Sequence, residues 1–223
     1  MHHYLEKILE IFNRHKNVEH ASGMKQYMKG QFEYLGVAAS TRKDITAPFF
    51  RKANLPPIEE VPKIIQDIWD QPYREVLYTG VNLVTRFAKK CPESWINMYE
   101  WMITTHSWWD TVDLISSNLV GPYFKSYPDI RDFYIEKWLT SENIWLQRTS
   151  ILYQLKYGAE VNIDVLEKTI IYCKTSNEFF LRKAIGWALR QYGKFNPEYV
   201  KNFIERNPDL SNLSKREALK HLT

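Results

Sequence analysis

The sequence predicts an all-α protein, an α-solenoid of paired helices, on three observations. Apolar residues recur at helical spacing along the chain, and no stretch of strand alternation is bounded by hairpin turns. The ten prolines, from Pro48 to Pro208, fall where helices start or stop and divide the chain into pieces of ordinary helix length. The C-terminal half carries a weak internal repeat.

The helices follow in order. Tyr4, Ile8, Ile11 and Phe12 share one face of a first helix, and Ile64, Ile65, Ile68 and Trp69 share a face of another. Leu146, Ser150, Tyr153 and Tyr157 repeat the pattern. About twelve to fourteen helices fit the intervals. Asn143-Ile-Trp-Leu-Gln-Arg148 aligns with Asn177-Glu-Phe-Phe-Leu-Arg182 at a shift of 34 residues. Trp145 then matches Phe179, Ile151 matches Ile185, Tyr153 matches Trp187 and Leu155 matches Leu189. A period in the thirties built from helix pairs suggests HEAT or TPR repeats. In such arrays equivalent positions line up along a concave face. Arg148 with Arg182, and Lys156 with Arg190, then form rows of positive charge suited to a nucleic-acid backbone. No domain boundary is evident, so residues 1–223 are expected to form one domain, with Leu55-Pro56-Pro57 as a loop.

Composition excludes several classes. At 223 residues the chain can bury roughly 70% of its unfolded surface and needs no staples. The two cysteines, Cys91 and Cys173, are far apart, which excludes a disulfide scaffold and a cysteine-based zinc site. Hydrophobic residues at 44% and only eight glycines argue against disorder. No Gly-x-Gly-x-x-Gly or Gly-x-x-x-x-Gly-Lys sequence occurs, which argues against dinucleotide and P-loop chemistry. No run approaches a membrane span, and Glu6, Lys7 and Glu10 break the apolar pattern that a signal peptide needs. A cytoplasmic protein without membrane contact is expected. The net charge of +4 lies wholly beyond residue 140, where thirteen Lys and Arg face nine Asp and Glu. A basic end suggests a polyanion partner, and it also fits ordinary solvated helix faces.

Three clusters carry candidate chemistry. The densest is Thr104-Thr-His-Ser107-Trp108-Trp109-Asp110-Thr-Val112-Asp113. Ser107 fits a helix N-cap, Asp110 in the first turn is read as structural, and Trp108 and Val112 point inward. Trp109 and Asp113 are i and i+4 and share a face that Ser117 continues. That face reads either as a half-buried Trp beside a solvated carboxylate or as a site for a positively charged or electron-poor group. In the second cluster Lys183, Trp187, Arg190 and Lys194 form one stripe, which suits stacking or sugar contact beside phosphate neutralisation. Gly186 inside this helix costs about 1 kcal/mol against Ala, a cost that close helix packing explains. In the third, Arg148 has the fork geometry for phosphate or for a salt bridge between helices. Tyr27, Phe32 and Tyr34 read as a core stripe, with Tyr27 also able to face a ligand. His106 has no partner histidine or carboxylate cluster at ligand spacing, so neither metal nor cofactor is expected.

Ser107-Trp-Trp109-Asp-Thr-Val-Asp113, Asn143-Ile-Trp-Leu-Gln-Arg148 and Lys183-Ala-Ile-Gly-Trp187 together resemble the AlkD family of bacterial DNA alkylpurine glycosylases. The likeness extends to Met24-Lys-Gln-Tyr27, Phe32-Glu-Tyr-Leu35-Gly36, Leu155-Lys-Tyr157 and Leu213-Ser-Lys-Arg-Glu-Ala218, nearly the whole chain. The resemblance implies a HEAT-like solenoid whose concave face binds double-stranded DNA, acting as a monomer. It implies excision of cationic N3- and N7-alkylated purines without flipping the base into a pocket. It places the catalytic carboxylate on Asp113, the sugar-contacting indoles on Trp109 and Trp187, and a backbone-contacting arginine on Arg148. Relatives without the short second helix lack the activity; residues 20–30 supply it here. Ala38-Ala39-Ser40-Thr41 departs from the more polar loop of the family. The rival classes are a non-catalytic module that binds damaged or branched DNA and a protein-binding solenoid.

Overall fold

The protein is described by a computed structural model over residues 1–220. Fourteen α-helices and no strand occur among these residues, as helical periodicity predicts. They fall into two compact units, Met1–Cys91 and Pro92–Thr223.

The first unit contains α1 (His3–Arg14), α2 (Val18–Tyr27), α3 (Ala39–Thr46), α4 (Val61–Trp69) and α5 (Arg74–Thr85). Leu5, Ile8 and Phe12 of α1 are fully buried, as are Val61, Ile64, Ile65 and Ile68 of α4. Ile11, expected on the same face as Ile8, is half-buried. The second helix predicted around residues 20–30 is present as α2, yet it buries no side chain. Its N-terminus instead rests on Gly36, where a Cβ would lie 1.8 Å from the Asn17 carbonyl and φ is +83°. Only glycine fits both conditions. The buried Glu75 carboxylate holds this turn by accepting from the Leu35, Gly36 and Val37 amides at 3.2, 2.8 and 3.1 Å.

The second unit contains α6 (Trp95–Thr104), α7 (Trp109–Ile115), α8 (Gly121–Ser126), α9 (Pro128–Thr140), α10 (Ile144–Leu152), α11 (Ile163–Cys173), α12 (Phe179–Gly193), α13 (Pro197–Arg206) and α14 (Asn212–Leu219). Helices α7, α10, α12 and α14 stack in one row, while α9 and α11 form a second row against α10. This is the helix-pair repeat read from the 34-residue shift. The matched aliphatic pairs behave alike, Ile151 and Ile185 being buried and likewise Leu155 and Leu189, whereas the aromatic pairs differ: Trp145 is half-buried and Phe179 exposed, Tyr153 buried and Trp187 half-buried. The polar matches differ as well, because α10 ends at Leu152 whereas α12 runs on to Gly193.

Between α7 and α8 the chain makes a π-helical turn, Ser116–Val120. Three consecutive side chains bond back to carbonyls four residues earlier: Ser116 to Val112 at 2.6 Å, Ser117 to Asp113 at 2.9 Å and Asn118 to Leu114 at 2.8 Å. These bonds compete with the α-helical ladder and widen the turn. Gly121 then lies so close to α10 that a Cβ would sit 2.5 Å from the Tyr153 carbonyl.

Gly186 explains itself in the same way. A Cβ there would lie 2.5 Å from Glu217 Cβ and 2.8 Å from the Ser214 carbonyl, both on α14. The Gly186→Ala variant gains about 1 kcal/mol of helix propensity and loses more through overpacking. Its chemical-denaturation midpoint is expected below that of the parent; an equal or higher midpoint would show that α14 yields.

Candidate active site

Asp113 lies in α7, a seven-residue helix fixed at both ends. Upstream, His106 takes a left-handed φ of 51°, and Ser107 donates to the Ile103 carbonyl at 2.6 Å. Ser107 therefore finishes the turn after α6 instead of capping α7; the N-cap is Trp108, in extended backbone. Downstream comes the π turn, so Ser117 bonds to the Asp113 carbonyl instead of continuing an α-helical stripe. Val112 is fully buried, as expected, and Asp110 in the first turn of α7 is nearly so.

The Asp113 carboxylate meets the Arg148 guanidinium across α7 and α10. Arg148 Nε donates to Oδ1 at 2.7 Å and Nη2 to Oδ2 at 2.9 Å. Nη1 donates to the Phe180 carbonyl at the start of α12. Arg148 is 5% exposed at its side chain and Asp113 13%, so both are largely buried and Asp113 keeps the larger share of solvent contact. Arg148 was expected on a DNA phosphate; it forms the other geometry open to it, the salt bridge between helices. The reason is its seat on α10, where Asn143 caps the helix from Trp145 and Leu146 amides at 2.9 and 3.3 Å and Thr149 Oγ1 accepts from Ser116 at 3.0 Å. Burial pushes the Asp113 carboxyl above its ordinary range, with Asp110 adding to the rise and Arg148 opposing it.

A cluster of three rings, from the N-cap of α7, from α10 and from α12, adjoins this bridge through Phe180, whose ring centroid lies 6.0 Å from the Arg148 guanidinium carbon. Trp108, Trp145 and Phe180 have centroid separations of 5.7, 5.1 and 5.0 Å. Trp108 thus packs inward as predicted, against rings instead of aliphatic side chains. Trp109, one turn before Asp113, is half-buried. Trp187 is also half-buried and follows Phe180 by seven residues on α12, two turns along the same helix face.

The expected cation rows are mostly engaged. Lys183 and Arg190 each bond one oxygen of Glu217 at 2.9 Å. Arg182 donates to the Ser176 carbonyl at 2.8 Å and to Asn177, closing the loop before α12, so it does not line up with Arg148. Lys156 is exposed and donates to Asn118 of the π turn. Lys194 is exposed at the end of α12.

The family model for DNA alkylation repair enzymes matches residues 8–222. The chain is also similar to a solved structure titled "Predicted DNA alkylation repair enzyme from Enterococcus faecalis", at 30% identity and a TM-score of 0.86, over 93% of this chain and 97% of that one. The chain belongs to the DNA alkylation repair enzyme family. No curated protein matches it.

In this DNA alkylation repair enzyme Tyr27 ends α2 in the first unit and is 73% exposed, so it leaves the core stripe in which Tyr34 is buried. Phe32 is half-buried and packs under the Arg74 guanidinium at 3.7 Å. Among the described residues no group of three His, Cys, Asp or Glu could hold a metal ion, and no helix is long and apolar enough to cross a membrane. Two features of the site had no signal in the sequence. Glu217 is 34 residues from Lys183 and 27 from Arg190, and the Phe180 contribution is a backbone carbonyl.

Removing one partner of a buried ion pair leaves the other charge uncompensated, at about 3–5 kcal/mol. Arg148→Met is expected to lose stability of that order at pH 7. Its unpaired Asp113 has a folded-state pKa raised further above the unfolded value. The deficit against wild type therefore shrinks as pH falls from 7 toward about 4, where both states become protonated. Urea unfolding at several pH values checks this; a deficit independent of pH would contradict it.

Proposed function

We propose that the protein is a DNA glycosylase that releases cationic N3- and N7-alkylated purines from double-stranded DNA. The observation that carries the reading is the Asp113 carboxylate, oriented by two bonds from Arg148 on a side chain that keeps partial exposure, with half-buried indoles on its own helix and on α12.

An alkyl group on N3 or N7 gives the purine a positive charge. When the base departs, the electrons of the glycosidic bond neutralise that charge, so no general acid is needed. This is why a single carboxylate suffices and why no pocket is needed to deliver a proton to a flipped base. The sugar becomes oxocarbenium-like, as in glycoside hydrolysis. Asp113 stabilises this cation and positions a water. A carboxylate has about four lone-pair sites, and Arg148 occupies two, so the remaining ones can take the water and face the sugar. Trp109 and Trp187 offer the negative faces of their rings to the developing charge, for about 0.5–2 kcal/mol each. The full carboxylate charge in a poorly solvated site outweighs them.

In this reading Arg148 is a positioning residue: it keeps Asp113 ionised and aimed. Tyr27, Lys156 and Lys194 are the exposed candidates for DNA contact, while Arg182, Lys183 and Arg190 serve contacts within the protein. DNA with alkylated purines is the partner, taken up by a monomer without metal or cofactor.

Asp113→Asn keeps shape and removes charge. It is expected to cut release of 7-methylguanine from methylated duplex by a hundredfold or more, roughly the loss seen when one electrostatic group of a catalytic site is removed, with DNA affinity nearly unchanged. Unaltered release would take Asp113 out of the reaction, and no release by wild type would favour the non-catalytic damage-binding module. The raised pKa of Asp113 fixes the sign of the pH effect: release falls as pH drops through a value above the ordinary aspartate pKa of about 3.9. Rates corrected for spontaneous depurination test this, and an acid limb below that value would contradict it.

A further inference from the structure

Glu217 stands on α14 directly over Gly186, where α12 and α14 are too close for a Cβ. One carboxylate oxygen takes Lys183 and the other takes Arg190, each at 2.9 Å. Lys183 precedes Trp187 by one turn and Arg190 follows it by one turn, so Glu217 bridges the two cations that flank the indole. The side chains are open to solvent: Lys183 is 37% exposed, Arg190 23% and Glu217 17%.

A compact anion held through two oxygens by one lysine and one arginine is the arrangement a DNA phosphate would take with the same pair. Resting on the reading of duplex DNA as substrate, we propose that Glu217 is an internal stand-in for a backbone phosphate. It withholds Lys183 and Arg190 from DNA and keeps affinity for undamaged duplex low.

The helix contact through Gly186 makes the arrangement persistent. Glu217 is placed over its partners by packing, so the pair is held without ordering a long, free side chain. A phosphate arriving beside Trp187 meets a carboxylate already in the place it would occupy, and like charges oppose its entry. With each of them bonded to a Glu217 oxygen, neither cation is free to neutralise a phosphate. Because undamaged duplex is bound almost wholly through its phosphates, such masking acts on non-specific binding first. A repair enzyme that must leave intact DNA quickly gains from that.

The test is the salt dependence of binding to an undamaged duplex, followed by fluorescence anisotropy on the full chain. Glu217→Gln is expected to bind more tightly, and the slope of log K against log salt is expected to steepen by about 0.9 for each freed cation that meets a phosphate. Adding Lys183→Gln and Arg190→Gln to that variant is expected to restore the parental slope. The same two substitutions in the wild-type background are expected to leave the slope unchanged, since the cations are already withheld. If Glu217→Gln leaves slope and affinity as they were, or if the Lys183→Gln, Arg190→Gln protein shows a shallower slope, the proposal is overturned. Circular dichroism monitors folding; should Glu217→Gln lose helix, the double variant in the wild-type background decides alone. Release of 7-methylguanine is measured separately. A protein that binds duplex with these slopes but releases no base overturns the glycosylase reading and leaves this one standing. A wild type without measurable duplex affinity overturns both.

Discussion

The two-point bond between Arg148 and Asp113 is the constraint on which the candidate site depends. A single Arg–carboxylate contact would leave the carboxylate free to rotate; the fork fixes both oxygens. The third arm of the guanidinium, on the Phe180 carbonyl, brings α12 into the same network. Three helices are thereby referenced to one side chain. Desolvating two charges is costly, and here the cost is offset by bonds to three different oxygens and by incomplete burial of the carboxylate. The consequence for chemistry is a negative charge with little freedom to reorient, the kind of preorganisation that makes an electrostatic group effective in a transition state.

Electrostatics elsewhere in the second unit follow a different rule. The basic excess of the C-terminal half looks, in one dimension, like a long polyanion-binding surface. In three dimensions it is largely consumed. Lys168 pairs with Glu136, Lys174 with Asp209, Arg206 with Glu167, and Glu217 holds both Lys183 and Arg190. Three of these links join different helices, α11 to α9, α11 to α13 and α12 to α14, and the Lys174–Asp209 pair joins the segments that follow α11 and α13. Others, such as Lys156, Lys194, Arg216 and Lys220, stay exposed.

The fold was legible because its signals are periodic and local. The stripe through Ile64, Ile65 and Ile68, the proline breaks and the shift relating Ile151 to Ile185 all survive as helices, boundaries and equivalent core positions. Gly186 was legible too, since a glycine that spoils a helix calls for a close neighbour. The neighbour, Glu217, was not. Helical spacing tells which residues share a face and nothing about which distant residue covers it, so a Lys–Trp–Arg stripe looked like a phosphate track. Arg148 was ambiguous for the same reason: its type allows a phosphate or a carboxylate, and the packing of α7 on α10 supplies the carboxylate. Tyr27 is exposed because α2 has no buried face, so of its two readings only the surface one, able to face a ligand, is left.

The π turn shows how such a site is made from otherwise ordinary helices. A continuous helix through Asp113 and Gly121 would carry Ser116, Ser117 and Asn118 in α-helical register, and their hydroxyls and amide would have to compete with the ladder. Bonded back to residues 112–114, they instead release one turn into wider geometry. The widened turn seats Ser116 against Thr149 and drops Gly121 onto the Tyr153 carbonyl, one contact just after Arg148 and one at the C-cap of α10. The register between α7 and α10 is therefore set by backbone contact, which side-chain thermal motion changes little. Since the Arg148 fork tolerates only small errors in distance and angle, the orientation of the Asp113 carboxylate depends on this register.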